Sequence, residues 1–292
     1  MIEKSAITEL YQKSHDPWRY GQLETDMSFC FRLREHGIFM HILTKSENHD
    51  AKIKDALHYG RILVINTVKL DAVHPDLWQM ASNPKDFEEL YINPDLVKLI
   101  DEYNNGNGKQ MELEHPCQDV AMFPFVTRTF GNHVIEMMEH NNEWSGAKHE
   151  DKRIAGGYEN VPTDDTHMHQ VGWENEWKEM IRKYIRPIVY SDYNGYTTTC
   201  ESHMMFVVRY HLGGQKYLTP HNDASTWTLT VALNERDVDF VGGGTFFTRY
   251  QCLASPSLVG GGFIFPGRLT HNHSGSELKS GRRYIIVSFM DP

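Results

Sequence analysis

The sequence predicts an α+β fold that is mainly β, with a sandwich or jelly roll in its C-terminal part. Two patterns predict it. Helical periodicity is confined to the chain before about residue 196, and short β-branched or aromatic segments, separated by Gly, Asn, Pro and Ser, follow one another after it. Hydrophobic residues are 40% and charged residues 23% of the 292 residues, which is the composition of a folded globular chain. Many short antiparallel strands with few helices among them are typical of sandwiches and jelly rolls.

Helical spacing of apolar residues occurs in four segments of the first two thirds of the chain. Residues 26–40 form the first predicted helix, and residues 86–103 form the second, which Pro94 interrupts. Residues 132–140 and 173–185 carry apolar side chains on or near one helical face. We therefore expect the helices to precede the β-rich part of the chain.

Five later segments are predicted strands, because each is short, β-branched or aromatic and bounded by turn residues. They are residues 206–210, 227–233, 244–250, 262–265 and 283–289. The second segment alternates apolar side chains with threonine. One face of that strand is therefore expected to be apolar and the other to carry hydroxyl groups.

The run Asn-Asn-Gly-Asn-Gly at residues 104–108 is the clearest linker signal in the chain, because Asn and Gly tolerate positive φ angles and pack poorly. It predicts a domain boundary near residue 110. Residues 1–110 then form an N-terminal segment, and residues 111–292 form a second domain with its β core at about 196–292.

Composition excludes several classes of function. Asp and Glu outnumber Lys and Arg by 39 to 29, a net charge of -10, and no basic cluster is dense enough to follow a phosphate backbone. Nucleic acid is therefore not expected as a partner. The longest apolar runs, such as residues 62–65 and 285–287, are far shorter than the ~20 residues of a transmembrane helix, so no membrane span is predicted.

The first twenty residues alternate charge and polarity and contain no apolar h-region, so Met1 does not begin a secretory signal peptide. The chain as written is therefore expected to be cytosolic, unless an N-terminal segment is missing from it.

The four cysteines, Cys30, Cys117, Cys200 and Cys252, are widely spaced and form no C-x-x-C pair. This spacing argues against a zinc knuckle and against a dithiol redox motif. One or two disulfides stay open at this point.

The segment PHNDAST holds His221 and Asp223 two residues apart, just before the alternating strand. In extended backbone, residues i and i+2 project to the same side, so an imidazole and a carboxylate can bind one metal ion together. His271 and His273 lie between two late strands, and either can supply a third ligand. Two histidines and one carboxylate on one face of an ion are the facial triad of non-haem Fe(II) oxygenases, whereas protein ligands close or nearly close a zinc site.

Arg283 strengthens this interpretation, because it stands ten residues after His273 in the otherwise apolar strand RYIIVSF. A keto acid that chelates iron extends its far carboxylate away from the metal, and a guanidinium can bind that carboxylate bidentately. The alternative is that Arg283 reaches solvent or pairs with Asp239 or Glu277. The ten-residue step favours His273 as the third ligand and leaves His271 as a hydrogen-bonding neighbour of the site.

Several segments carry a family resemblance in order along residues 71–292: HPDLWQM, HPCQDV, EWSGAKHEDKRIAGGYENVPT, HQVGWE, FVVRY, TPHNDASTWTLTVALN, VGGGTFF, FPGRLTHNH and RRYIIVSFMDP. This part of the chain resembles the C-terminal region of the procollagen-lysine 2-oxoglutarate dioxygenases, the collagen lysyl hydroxylases. Residues 25–43 resemble the end of the family's central accessory domain, which is similar to a glycosyltransferase. The resemblance implies a double-stranded β-helix (jelly roll) of the Fe(II)/2-oxoglutarate dioxygenase type with flanking helices, after a remnant of that accessory domain.

The resemblance also implies roles for individual residues. The implied Fe(II) ligands are His221, Asp223 and His273. Arg283 would bind the 5-carboxylate of 2-oxoglutarate, and Tyr210 matches a tyrosine that contacts this cosubstrate. Arg153 matches an arginine of a mobile loop over the site, and Thr230 stands where relatives carry an asparagine near the cosubstrate.

Cys117 and Cys252 match two cysteines that the family joins as a disulfide in the endoplasmic reticulum, which leaves Cys30 and Cys200 unassigned. Leu269 falls where the family has a dimer-forming leucine, with a core strand residue as the alternative interpretation. The resemblance implies the endoplasmic reticulum lumen or its membrane surface as the location, a homodimer as the assembly and procollagen chains as the partner.

The implied activity is hydroxylation of peptidyl lysine to 5-hydroxylysine in collagen-like Gly-X-Lys sequences. It is coupled to oxidative decarboxylation of 2-oxoglutarate to succinate and carbon dioxide, and L-ascorbate keeps the iron reduced. Two alternatives stay open: an iron oxygenase acting on another substrate, such as a prolyl residue or a free amino acid, and a truncated, catalytically weak or inactive scaffold that binds collagen or a partner enzyme. The truncation and the departure at Thr230 are arguments for the scaffold, and the presence of all three implied ligands and of Arg283 is an argument against it.

Overall fold

The computed structural model describes residues 73–106, 110–147, 163–193, 199–256 and 258–292. Residues Asp76–Pro292 form one compact unit. The helix predicted over residues 26–40, Cys30 and Arg153 lie outside the described residues.

The helices of the described chain precede its long strands, as the periodicity predicts. They are α1 (Pro84–Tyr91), α2 (Pro94–Asn105), α3 (Arg128–Asn141), α4 (Glu174–Met180) and α5 (Arg186–Asp192), with 3₁₀ turns at Pro75–Trp78 and Met168–Val171. The interruption at Pro94 is confirmed. This proline begins α2, and the Asn93 side chain caps the helix by accepting a hydrogen bond from the backbone N–H of Asp95.

The last predicted helix is longer than its apolar periodicity indicates. A π turn at Ile181–Ile185 joins α4 to α5, so the helical segment runs on to Asp192. Pro187 follows the π turn directly, and the shift of the hydrogen-bond ladder there accommodates a residue that has no backbone N–H.

Strands of very different length make up the two sheets. They are β1 (Glu114–Cys117), β2 (Val120–Pro124), β3 (Asp165–His167), β4 (Glu201–His211), β5 (Leu218–His221), β6 (Trp227–Ala232), β7 (Phe240–Gly242), β8 (Thr245–Phe247), β9 (Cys252–Ala254), β10 (Gly261–Pro266), β11 (His273–Gly275) and β12 (Leu278–Asp291). The five predicted strands correspond to β4, β6, β8, β10 and β12. The other seven are only three to five residues long.

The larger sheet has the order β1-β2-β10-β6-β12-β4-β3, with β7 beside β12, and the smaller sheet has the order β5-β11-β8-β9. All strand pairs in both sheets are antiparallel. From β4 onward the chain passes back and forth between the two sheets, which is the winding of a double-stranded β-helix. The predicted α+β, mainly β jelly roll is confirmed.

Strand β6 shows how the sheet separates the core from the site. Its apolar side chains, among them Leu229 and Val231, pack in one cluster with helical residues such as Trp177. Thr228 points to the opposite face, where its hydroxyl donates a hydrogen bond to Asp223. The helices therefore cover one face of the larger sheet, and the predicted site lies on the other.

Helices α1 and α2 pack into that same cluster through Phe87, Tyr91 and Leu96. The described residues on the N-terminal side of the linker signal thus belong to the compact unit that contains the β core. The derivation of residues 1–110 from an accessory domain stays a prediction.

A disulfide joins Cys117, at the end of β1, to Cys252, at the start of β9. This pairing, expected from the resemblance, is confirmed. Cys200 is buried and has a free thiol. Within the described ranges, no helix combines the length and the apolar composition that are needed to cross a bilayer.

Candidate metal centre

Three of the predicted site residues come together at adjacent strands of the smaller sheet. His221 ends β5, His273 begins β11, and the two residues are register partners. One ligand atom from each of His221, Asp223 and His273 lies within 4.8 Å of the others. The Asp223 carboxylate is 3.4 Å from Nε2 of His221 and 3.6 Å from Nε2 of His273. Both imidazoles therefore present Nε2 to the same carboxylate.

Hydrogen bonds at the far nitrogens set the tautomer of both histidines. Nδ1 of His221 is 2.8 Å from the carbonyl oxygen of Thr219, and Nδ1 of His273 is 2.9 Å from that of His271. A carbonyl oxygen only accepts, so each Nδ1 carries a proton that it donates. Each Nε2 is thereby turned toward the Asp223 carboxylate, and in the neutral ring this is the nitrogen that can bind a metal ion.

The Asp223 side chain is 4% exposed and is held from two sides. The Thr228 hydroxyl donates a hydrogen bond to Oδ2 of Asp223 at 2.6 Å. The backbone N–H of Asp223 donates to the carbonyl oxygen of Gly267 at 3.0 Å, which fixes the main chain at this residue. Burial raises the pKa of Asp223, but the two histidines and the Thr228 hydroxyl outweigh this effect and hold the pKa below its usual value. The group is therefore a carboxylate at neutral pH.

Burial also determines the charge of His273. It lowers the pKa of the imidazole below its usual value, and the charge of Asp223 only partly opposes this effect. The ring is consequently neutral at neutral pH and available as a ligand.

Arg283 is buried and lies across from the smaller sheet, on β12 of the larger one. It is 5% exposed and is the register partner of Tyr210 on β4. Its guanidinium lies over the Tyr210 ring at 5.2 Å from the ring centroid. No ion pair of Arg283 with a carboxylate occurs in the part of the chain that the structure describes. The alternatives of a solvent-exposed arginine and of pairs with Asp239 or Glu277 do not hold.

Two glycines leave room around this arginine and tyrosine. A Cβ at Gly243, whose φ is +68°, would lie 2.9 Å from Cδ of Arg283. A Cβ at Gly275 on β11 would lie 3.1 Å from the Tyr210 hydroxyl oxygen. The Tyr210 hydroxyl therefore lies close to the strand that begins with His273, while the Tyr210 ring lies against the Arg283 guanidinium.

The other predicted site residues divide into three cases. Thr230 is buried on β6, two residues from Thr228 and on the same face. Leu269 is 85% exposed in a turn with φ of +57°, so the interpretation as a core strand residue is wrong. Arg153 lies outside the described residues.

Two contributions to the site were not predicted from the sequence. Thr228 was predicted to lie on the hydroxyl-bearing face of the alternating strand, but not to donate a hydrogen bond to Asp223. Its alternation with Leu229 is the signal that places it on the side of the site. Gly275 follows His273 by two residues, and no sequence signal identified its contact with Tyr210.

The donor set fits Fe(II) bound on one face. Two imidazole nitrogens and one carboxylate leave the remaining positions of an octahedral ion open, as in non-haem iron oxygenases. A structural zinc site would need a fourth protein ligand, and the metal-ligating group found among the described residues has three members. Arg283 is buried and has no carboxylate partner among the described residues, so it fits a negative group such as the far carboxylate of a dicarboxylic acid.

Comparison with known proteins identifies relatives over nearly the whole chain. No family model matches. The chain is 43% identical over 285 residues to the multifunctional procollagen lysine hydroxylase and glycosyltransferase LH3 of Rattus norvegicus, covering 98% of this chain and 36% of that protein. It is 43% identical over 271 residues to procollagen-lysine,2-oxoglutarate 5-dioxygenase 2 of Homo sapiens, covering 93% and 34%. With 5-dioxygenase 1 of Homo sapiens the identity is 39% over 292 residues, covering 100% and 37%.

The chain thus spans little more than a third of the length of these relatives. Among solved structures, it is similar to the viral collagen prolyl hydroxylase vCPH from Paramecium Bursaria Chlorella virus-1, with a TM-score of 0.44 and 17% identity over 60% of this chain and 98% of that one. It is also similar to a Pseudomonas putida prolyl-4-hydroxylase, with a TM-score of 0.43 and 10% identity over 68% and 99%.

Proposed function

Because this chain is a homologue of the C-terminal region of the procollagen-lysine 2-oxoglutarate 5-dioxygenases, we propose that it hydroxylates peptidyl lysine to 5-hydroxylysine, using Fe(II) and 2-oxoglutarate. The proposed substrate is a collagen-like Gly-X-Lys sequence. The proposal is supported by the close group of His221, Asp223 and His273, together with Arg283, a buried arginine without a carboxylate partner among the described residues. The three-residue group can bind a cation, and the buried arginine can bind an anion.

In this proposal His221, Asp223 and His273 hold Fe(II), and Arg283 binds the 5-carboxylate of 2-oxoglutarate. Bound Fe(II) supplies the activation of dioxygen that couples decarboxylation of 2-oxoglutarate to hydroxylation of the lysine side chain. The protein's own contribution is geometry. The carbonyl groups of Thr219 and His271 orient the two imidazoles through their Nδ1 protons.

The surroundings of the group favour a reaction that must exclude water. The rings of Phe247 and Phe265 lie 5.9 Å and 4.8 Å from the ring of His273, measured between centroids. They form an apolar wall on one side of the ligand. Removal of water strengthens both the attraction between Arg283 and a carboxylate and the metal–ligand interactions.

The proposal extends to the setting of the reaction. L-ascorbate would keep the iron in its reduced form. Procollagen chains would be the partner, a homodimer would form through the exposed Leu269, and the endoplasmic reticulum would be the location. The lumen is an oxidising compartment, and the Cys117–Cys252 disulfide is compatible with it.

Succinate release tests this function. Purified protein with Fe(II), ascorbate, 2-oxoglutarate and a Gly-X-Lys peptide is expected to release succinate in proportion to the peptide. Asp223→Ala and Arg283→Ala are each expected to abolish this release. Turnover with a Gly-X-Pro peptide alone would indicate a different oxygenase, and folded, metal-binding protein without any turnover would indicate a scaffold.

A further inference from the structure

We propose that His271 is a positioning residue for the metal centre, and that the Cys117–Cys252 disulfide keeps it in place, so that reduction of the disulfide weakens metal binding. The inference rests on the proposed function, because it takes His273 to be a metal ligand. It assigns a task to two features, a fully buried histidine and a disulfide, that the chemistry at the iron does not itself require.

The first connection joins His271 to the ligand. The main-chain carbonyl of His271 accepts the Nδ1 proton of His273 at 2.9 Å. The direction of this carbonyl therefore sets the rotation of the His273 ring and the aim of its Nε2. Partners of this kind, one bond away from a metal ligand, commonly change metal affinity by about 10–100-fold when they are lost.

The second connection fixes His271 itself. Its ring is completely buried, and its Nε2 lies 2.9 Å from the carbonyl oxygen of Gln118. Because a carbonyl only accepts, Nε2 carries the proton, and Nδ1 accepts from the Thr270 hydroxyl at 2.9 Å. The Tyr250 ring packs against it at 4.9 Å between centroids. Both ring nitrogens are used, so the side chain anchors the backbone at residue 271.

The third connection joins that anchor to the disulfide. Gln118 lies in the short turn between β1 and β2, directly after Cys117. Cys117 is bonded to Cys252, with 5.9 Å between their Cα atoms. The position of the Gln118 carbonyl therefore depends on the covalent bond next to it.

The register of the smaller sheet connects the disulfide to the proposed metal ligands a second time. Cys252 pairs with Phe247, Phe247 pairs with His273, and His273 pairs with His221. These four residues form one row across the sheet, with the disulfide at one end and the metal ligands at the other. The β1–β2 turn is attached to this row twice, once through the disulfide at Cys252 and once through His271 beside His273.

Reduction breaks the covalent attachment, the Cys117–Cys252 disulfide. A phosphine or a thiol transfers two electrons to the disulfide, the S–S bond breaks, and two protons from solvent complete the thiols of Cys117 and Cys252, while the reductant is oxidised. The turn is then held to the row by the hydrogen bond between Gln118 and His271 without its covalent support. The metal centre is thus expected to bind most tightly where the disulfide persists, in an oxidising compartment.

Binding of Co²⁺ to the full chain, followed by calorimetry and by its visible absorption spectrum, tests the inference without any turnover. His271→Phe keeps a buried ring and removes both hydrogen bonds, and it is expected to weaken Co²⁺ binding about tenfold and to change the absorption bands. His271→Gln retains an amide donor toward Gln118 and is expected to restore most of the affinity. Ser288→Ala, which removes a buried hydrogen bond to Ser202 on the helix-covered side of the sheet, is the control and is expected to leave the spectrum unchanged.

A double-mutant cycle tests the connection between the two features. Joint replacement Cys117→Ser and Cys252→Ser is expected to weaken Co²⁺ binding several-fold, and its combination with His271→Phe is expected to be less than additive, because both act through one path. Wild-type protein reduced with a phosphine supplies the same comparison should the serine variant not fold. Equal affinity and spectra for wild type and His271→Phe, or strictly additive losses, would overturn the inference alone. Failure of the oxidised wild type to bind Co²⁺ would overturn the proposed metal centre, and the inference with it.

Discussion

A buried guanidinium without a carboxylate partner is costly to a protein, and Arg283 is in that position within the described part of the chain. Desolvation lowers its pKa, and the neighbouring Arg236 lowers it further, while Tyr210 partly opposes this effect. Such a group is retained where a ligand supplies the missing charge. In the proposed function the 5-carboxylate of 2-oxoglutarate supplies that charge, so the buried Arg283 is expected to make the ligand-free protein less stable than the loaded one.

Arg283→Met is expected to change stability and affinity in opposite directions. Without the uncompensated charge, the ligand-free protein should gain about 1 kcal/mol in free energy of unfolding. The affinity of the Co²⁺-loaded protein for 2-oxoglutarate should fall about 100-fold, because a charge-assisted bidentate contact is lost. Urea unfolding and calorimetry measure the two effects.

Arg282→Met is the matched control, since Arg282 is the exposed neighbour on the same strand. It should leave 2-oxoglutarate affinity unchanged. If Arg283→Met destabilised the ligand-free protein and kept its affinity for 2-oxoglutarate, Arg283 would be a structural residue.

Thr228→Val is expected to weaken metal binding about tenfold with little change in shape, because Asp223 loses the hydroxyl that donates to its Oδ2 at 2.6 Å. Thr226→Val is the control, since it removes a similar hydrogen bond, to Asp291 at 2.7 Å. Calorimetric titration with Co²⁺ separates them. Equal losses in both variants would show that Thr228 acts only through stability.

The stability of the ligand-free protein is expected to depend on pH through His273. The pKa of His273 is lowered in the folded protein. As the pH falls through about 6.5, the usual pKa of histidine, this residue therefore takes up a proton in the unfolded chain before it does so in the folded protein. Stability is therefore lost as the pH falls through that value, and the loss ends below the folded pKa. Its slope is at most about 1.4 kcal/mol per pH unit for one proton.

His273→Gln removes this contribution. Urea unfolding between pH 7.5 and 5.5 is expected to show that the free energy of unfolding depends less on pH in the variant than in wild type. The same pH dependence in both proteins would contradict a neutral, buried His273.

Residue spacing predicted much of the candidate site and failed where the contact depends on tertiary structure. The grouping of His221, Asp223 and His273 follows from the two-residue repeat of extended backbone and from the later position of the second histidine. The burial of Arg283 follows from its apolar strand. The hydrogen bonds of Thr228 and of the His271 ring could not be predicted, because Asp223 lies in the irregular loop before β6 and Gln118 lies in the β1–β2 turn.

At the scale of elements, the long strands were predictable, and of the short ones only β8 was. Strands β4, β6, β10 and β12 contain enough residues to show β-branched character, whereas β5 and β11 contain four and three. A period of two cannot be recognised in so few residues. These two short strands nevertheless carry His221 and His273, so two of the three proposed metal ligands lie in elements that the sequence identifies poorly.

Loss of the disulfide is expected to destabilise the fold itself. Cys117 and Cys252 are separated by 135 residues, and closing so long a loop restricts the unfolded chain strongly. The serine variant of both cysteines should lose about 2–4 kcal/mol in free energy of unfolding. Chemical denaturation measures this loss, with Cys200→Ser as a control that removes a free thiol. An unchanged midpoint would mean that the disulfide does not constrain the fold.

For the whole molecule, the sequence predicted the architecture better than it predicted which residues belong to the compact unit. The alternation of strands between two sheets agrees with the expected jelly roll. The extent of the compact unit was harder to predict. The run at residues 104–108 has the composition of a linker, yet α2 on its N-terminal side packs on the shared core through Leu96 and Ile100. Local composition does not show which helices bury their apolar face against a distant sheet.

Lysyl hydroxylation can be measured by tandem mass spectrometry of a Gly-X-Lys peptide, incubated with the protein, Fe(II), 2-oxoglutarate and ascorbate under ¹⁸O₂. We expect one ¹⁸O atom on the lysine side chain, and none with Asp223→Ala or without 2-oxoglutarate. Unmodified lysine after incubation with folded protein that binds both Co²⁺ and 2-oxoglutarate would contradict lysyl hydroxylation by this chain.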